Sequence, residues 1–205
     1  EVAPDGSAYT FHLRQGVKFH DGTPLTADDV VFSVERALAP TSQLKYALQG
    51  VEKAVRVDDH TVDMLMREAN PVLPSHLFQF RIMSRAWATR NNALRPQNYT
   101  EKEETYAARN TNGTGPFMLK SRQSDVKTVL VRNPDWWGVA AGVWESNIDE
   151  VVLLPVKSNA TRLAALVSGE IDVMLDPAPQ DVLKLKSNPS IRVVEGPEMR
   201  VHMVT

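Results

Sequence analysis

The chain has 205 residues, 42% of them hydrophobic and 23% charged, a balance that excludes a disordered tail or a fibre. Lys and Arg number 23 against 25 Asp and Glu, a formal net charge of -2 with no strongly basic stretch, so nucleic acid is excluded as the main partner. The longest uncharged apolar runs, such as Val151 to Val156, fall far short of the roughly 20 residues a membrane-spanning helix needs.

There is no Cys, which removes disulfide frameworks, thiol catalysis and thiolate metal sites but leaves the compartment open. The sequence begins at Glu1 without Met or a leader-like segment and stops at Thr205 inside a strand-like run, so it reads as an excerpt.

Tyr9 to Arg14 alternates Phe11 and Leu13 with polar residues and predicts a strand, followed after Gln15 and Gly16 by a second short strand, Val17 to Phe19. His20-Asp21-Gly22-Thr23-Pro24 is a turn: Gly22 accepts positive φ, Pro24 fixes φ and Asp21 bonds its own backbone two residues on. Thr26 and Asp29 then have capping-box spacing. The helix they start carries Val30, Val31, Val34, Ala37 and Leu38 on one face and ends before Pro40.

Ala54 to Val57 and Thr61 to Met66, separated by Asp58-Asp59-His60, predict a hairpin. Short helices are expected at Pro71 to Phe80 and Ser84 to Arg90, then a polar surface connection to Asn112. Phe117 to Ser121 and Thr128 to Arg132 read as paired strands, and Ile148 to Val156 as a strand buried on both faces. A helix capped by Ser158 runs through Val167 to a stop at Gly169; Pro179 starts another that ends at Leu185. Further strands are expected at Ile171 to Leu175, Ile191 to Val194 and Met199 to Val204, giving a βαβ alternation.

The stretch from Tyr9 through His20-Asp21-Gly22-Thr23-Pro24 to Asp28-Asp29 and Ser33 resembles the signature of the extracellular solute-binding proteins of family 5, the peptide-, nickel- and related solute-binding components of ABC importers. Three further landmarks follow in the same order: Gly113-Thr114-Gly115-Pro116-Phe117, Arg132-Asn133-Pro134-Asp135-Trp136-Trp137-Gly138 and Ser168-Gly169-Glu170-Ile171-Asp172.

The resemblance implies an α/β fold of the type II periplasmic-binding-protein kind, here one incomplete lobe of mixed sheet and helices carrying a small α+β insert domain. Residues 1–112 would be the insert domain and 113–205 the middle of the first lobe's sheet domain, with the second lobe absent. The implied function is solute capture by closure of two lobes, for delivery to a membrane ABC permease. The protein would act as a periplasmic or lipid-anchored monomer with a small-molecule or peptide ligand and no cofactor. On this reading the 205 residues alone bind no peptide or nickel chelate measurably.

Other chemistries have less support in the residues. Gly113-Thr114-Gly115 leads into Pro116 and a strand, where a phosphate loop needs amides and a helix. His12, His20, His60, His76 and His202 have no ligand-like spacing, so no protein-built metal site is expected. His20 beside Asp21 is half of a dyad, and a cell-envelope hydrolase using His20 and a carboxylate is the alternative reading. No GxSxG elbow accompanies it, and turn chemistry explains the pair better. Trp136 and Trp137 either stack on a ligand or cover the end of a sheet, and the resemblance places them on the scaffold. His12 and Arg14 read as a solvated strand face.

For ligand contact the leading segment is Thr41 to Gln49, a loop after the capped helix holding Gln43, Lys45 and Tyr46. By resemblance this loop reaches the cleft, with Tyr46 as an aromatic contact. The equal alternative is that Tyr46 starts a short helix and packs inward with Leu44 and Leu48. His202 is a second candidate, on a strand that by resemblance leads to the hinge. Phe78 and Arg81, on a loop at the small domain's edge, form a third.

Overall fold

The structure is a computed structural model and describes residues 1–143 and 147–196. Their contacts divide the chain into two compact units, residues 1–153 and 154–205.

The first unit holds two antiparallel sheets, each of three strands. In the first, β1 (Ala8–His12), β2 (Val51–Asp58) and β3 (Thr61–Met66) lie in the order β1-β3-β2. The register sets Tyr9 and Ala54 on either side of Met64, so every second residue faces the same way. Helix α1 (Ala27–Leu38) crosses between β1 and β2 in the chain, and packs Val30, Val34 and Ala37 onto that face with Val62, Met64, Leu48 and Leu73.

The capping box at Thr26 and Asp29 forms as expected, the Thr26 amide donating to Asp29 Oδ2 at 2.9 Å. The helix stops at Leu38, two residues before Pro40.

A second stripe of α1 is also buried, which one apolar face does not anticipate. Phe32 packs with Trp87, Ala88 and Ala93. Asp29 and Ser33, both buried, bind the chain that leads into α3 (Arg85–Arg90). Asp29 Oδ1 accepts from the Arg85 amide at 2.8 Å, and Ser33 Oγ accepts from the Met83 amide at 2.8 Å. The Asp29 carboxylate thus serves two helix N-termini, a reason for a charge to be tolerated there. Between β3 and α3 the chain makes a single helical turn, α2 (Leu73–His76), and a 3₁₀ turn, Leu77–Gln79.

The second sheet has the order β4-β5-β6, with β4 (Phe117–Gln123), β5 (Lys127–Arg132) and β6 (Glu150–Leu153). A short helix, α4 (Trp137–Ala140), follows β5. In the second unit, Ser158 Oγ caps α5 (Asn159–Ser168) by accepting from the Thr161 amide, and Gly169 ends it at φ 77°. Helix α6 (Pro179–Lys186) starts at its proline, with Asp181 in its first turn and Lys184 and Lys186 in its last.

Several expected strands are corrected. Val17 to Phe19 forms no strand; Lys18 makes one isolated bridge to Pro24, because the turn at Gly22 folds the segment on itself rather than onto the sheet. The strand at Ile148 to Val156 shortens to β6, an edge strand with Val152 and Leu153 exposed rather than buried on both faces. Ile171 to Leu175 and Ile191 to Val194 are irregular, so the described residues contain no βαβ unit. Val173 and Leu175 stay 73% and 76% exposed. Their alternation is strand-like, but a strand needs a ladder partner and none lies beside them among the described residues. The expected strand Met199 to Val204 lies outside the described residues.

Candidate functional site

Two neighbouring segments of the first unit present the residues singled out for ligand contact. After α1, Lys45–Leu48 makes a 3₁₀ turn in which Ala47 and Leu48 enter the core. Tyr46 therefore points the other way and is 57% exposed; of the alternative reading the short helix forms, but the inward packing with Leu44 and Leu48 does not. Its hydroxyl donates to Gln79 Oε1. Gln79 sits between Phe78, 68% exposed, and the loop carrying Arg81. Arg81 turns one Nη toward the Phe78 and Phe80 carbonyls and makes no ion pair among the described residues.

Tyr46, Gln79, Phe78 and Arg81 thus come together. Lys45 folds back to the Pro40 carbonyl at 3.2 Å, and Gln43 is exposed in the preceding turn. His202 lies outside the described residues.

Both segments hang from α1. Leu44 precedes the Tyr46 turn, and Leu77, Phe80 and Ile82 bracket the Phe78–Arg81 loop; all four pack against the main core. The Ser33 and Asp29 bonds to Met83 and Arg85 then fix the end of that loop. An aromatic face, a phenol and a guanidinium held this way are suited to an apolar side chain and a carboxylate. No His, Cys, Asp and Glu cluster able to hold a metal ion occurs among the described residues. Sequence reasoning missed Gln79, whose only signal is its place between Phe78 and Arg81.

A second constellation joins three of the four landmark motifs. The His20 ring accepts the Gly113 amide on Nδ1 at 3.2 Å, and its Nε2 lies 3.1 Å from the Gly115 carbonyl. The Nε2–H tautomer satisfies both contacts. The same Gly115 oxygen accepts from Asn133 Nδ2 at 3.1 Å, and the Asp21 amide donates to Asn112 Oδ1 at 3.1 Å.

Both imidazole nitrogens are therefore spent on backbone, and no nitrogen is left to act as a general base. Asp21 takes hydrogen bonds from Thr23 and an ion pair from Arg90. Partial burial raises its pKa, but the Thr23 hydroxyl and amide, Asn112 and Arg90 outweigh this and hold it below the usual carboxylate range. His20-Asp21 is turn and junction chemistry, and Gly113–Gly115 is a turn into β4.

The Trp pair belongs to the same scaffold. The Arg14 guanidinium lies 4.5 Å from the centre of the Trp137 ring, so Arg14 is not merely solvated as expected. A side chain at Gly138 would meet Trp136 Cη2 at 2.3 Å, so the ring occupies the space that glycine leaves. Beyond these sites, Trp87, Tyr106, Arg109, Lys120 and Arg122 border a pocket of about 310 Å³, shared with Leu119 of β4.

Comparison with known proteins decides what this assembly is part of. The family described as bacterial extracellular solute-binding proteins, family 5 Middle, matches residues 1–205. The chain belongs to this family. It is 32% identical to a dipeptide-binding protein of Escherichia coli strain K12 over 98% of the chain and 39% of that protein. It is 28% identical to heme-binding protein A of Haemophilus influenzae, again over 98% of the chain, and 38% of that protein.

Among solved structures, it resembles the ABC transporter-associated periplasmic binding protein DppA from Helicobacter pylori in complex with the peptide STSA. That likeness has 26% identity and a TM-score of 0.74, covering 92% of this chain and 39% of the other. NikZ of Campylobacter jejuni in complex with Ni(L-His) has a TM-score of 0.76 over 92% of this chain and 36% of its own, at 19% identity, a likeness of fold alone. This family 5 chain spans about two fifths of the length of these relatives. Its mixed α/β architecture is that of part of a periplasmic binding protein.

Proposed function

We propose that this chain is part of the first lobe of a solute receptor that works outside the cytoplasmic membrane, free in the periplasm or lipid-anchored at the membrane's outer face. It captures a short peptide, a nickel chelate or a similar small solute by closing two lobes around it, and presents it to an ABC permease as a monomer. The family match over all 205 residues carries this reading. No helix among the described residues is long and apolar enough to cross a membrane, in keeping with a receptor that leaves translocation to another protein.

On this reading residues 1–112 are the insert domain and 113–205 the middle of the lobe's sheet domain. Gln43, Lys45, Tyr46, Arg81 and His202 face the solute. Tyr46 offers its ring and Arg81 its guanidinium to a side chain and a carboxylate. Closure is a population shift: solute bound better by the closed form draws the hinge shut.

The exposed Val173, Leu175, Leu183 and Val194 support completion of residues 154–205 by parts of the protein beyond these residues. Titrating the full-length protein with a panel of di- and tripeptides and a nickel–histidine chelate tests the reading. Saturable binding of one class that weakens in Tyr46→Ala supports it, and no binding of any class contradicts it.

A further inference from the structure

Asn112-Gly113 is the chain's one Asn-Gly pair. Such a pair is chemically labile, because glycine carries no side chain to hinder approach of its backbone nitrogen to the preceding asparagine. In that reaction the Gly113 nitrogen loses its proton to solvent base and bonds to Asn112 Cγ. The Cγ–Nδ2 bond breaks and, with a proton taken up, nitrogen leaves as ammonia. Water then opens the five-membered imide on either side, giving aspartate or isoaspartate. One water is consumed, one ammonia is released and nothing is oxidised.

The fold holds both reacting groups away from this course. The Gly113 N–H donates to His20 Nδ1 at 3.2 Å, while its carbonyl accepts from the His20 amide at 2.8 Å. Asn112 is only 8% exposed, and its Oδ1 accepts from the Asp21 amide at 3.1 Å. Swinging Cγ toward the Gly113 nitrogen breaks both clasps. Asn112 Nδ2, the leaving nitrogen, is buried. Burial of the Asn112 side chain also limits the approach of water to Cγ.

We propose that Asn112-Gly113 is a latent modification site for succinimide formation and deamidation, kept shut by the His20-Asp21 turn. Its conversion accumulates with the time that the junction between that turn and β4 spends open. The change runs one way. Isoaspartate adds a methylene to the backbone and carries Gly113 away from His20, and either product sets a carboxylate beside Asp21.

The test follows Asn112 in the full-length protein at mildly alkaline pH by peptide mapping that separates aspartate from isoaspartate. Conversion should be at least about tenfold slower in the native protein than in denaturant, since modification of a protected group follows the open population. His20→Ala, verified as folded by circular dichroism, should raise the native rate by about tenfold. Equal rates in native and denatured wild type overturn the proposal, as does a folded His20→Ala variant as slow as wild type. Should that variant not fold, hydrogen exchange of the Gly113 amide in the wild type decides: protection upholds the clasp, and exchange at the unprotected rate overturns it.

Discussion

His20 and Gly115 stand 95 residues apart in the sequence and 3.1 Å apart in the fold, where the imidazole Nε2 meets a carbonyl oxygen that Asn133 also binds. Three motifs that look independent along the chain thereby become one junction. It fixes the turn before α1 to the loop before β4 and to the end of β5.

The junction should be worth measurable stability. His20→Ala leaves the Gly113 amide and part of the Gly115 carbonyl's bonding unmade, and about 1–3 kcal/mol should be lost. Chemical denaturation with an unchanged m-value checks this; an unchanged midpoint would show that the clasp contributes nothing.

Asp29 should be costlier than an ordinary surface cap. Its carboxylate serves the Thr26 amide at 2.9 Å and the Arg85 amide at 2.8 Å, so Asp29→Ala uncaps α1 and frees the first turn of α3 together. A loss at the upper end of the usual 0.5–2 kcal/mol is expected in thermal or denaturant unfolding. A value near zero would mean that water replaces the carboxylate at both helix ends.

Acid should loosen the same region through Asp21. Its folded pKa is held below the ordinary value, so the folded state binds this proton less readily than the unfolded state. The contribution is present above the unfolded pKa of about 3.9 and is lost as pH falls through the lower folded value. Asp21→Asn should flatten the decline in stability below about pH 4 relative to wild type, and parallel pH profiles would contradict this.

The Trp pair should respond differently at its two ends. Arg14→Ala removes a guanidinium from the Trp137 face at an exposed position and should cost about 0.5–1 kcal/mol, measurable as a coupling energy with Trp137→Leu. Gly138→Ala drives a methyl into the Trp136 ring and should cost about 1–3 kcal/mol, because the ring has to leave its place. Equal small effects at both positions would mean that the rings are held elsewhere.

Much of this was legible in the residues, and the parts that were not share a cause. Thr26 with Asp29, Ser158 and Gly169 announce α1 and α5, since caps are local and involve residues three or four apart. The pairing of β2 with β3 follows from the polar turn expected at Asp58-Asp59-His60, of which Asp58 joins the strand and pairs with Thr61. The burial of Ser33 and Asp29 against Met83 and Arg85 has no local signal, because its partners lie 50 and 56 residues away. For the same reason the Tyr46–Gln79 bond, across 33 residues, has no signal in either segment. At Ile171 to Leu175 the apolar alternation is genuine, but a strand is a property of two segments, and the pattern of one does not supply its partner.

Solute capture is the central claim, and calorimetric titration of the full-length protein with short peptides and a nickel–histidine chelate tests it most directly. The expected result is saturable binding of one of these solutes, accompanied by compaction in small-angle scattering and weakened by Tyr46→Ala or Arg81→Ala without loss of fold. Absence of heat with every solute class, or binding indifferent to both substitutions, would contradict, respectively, the function proposed here and the site assigned to it.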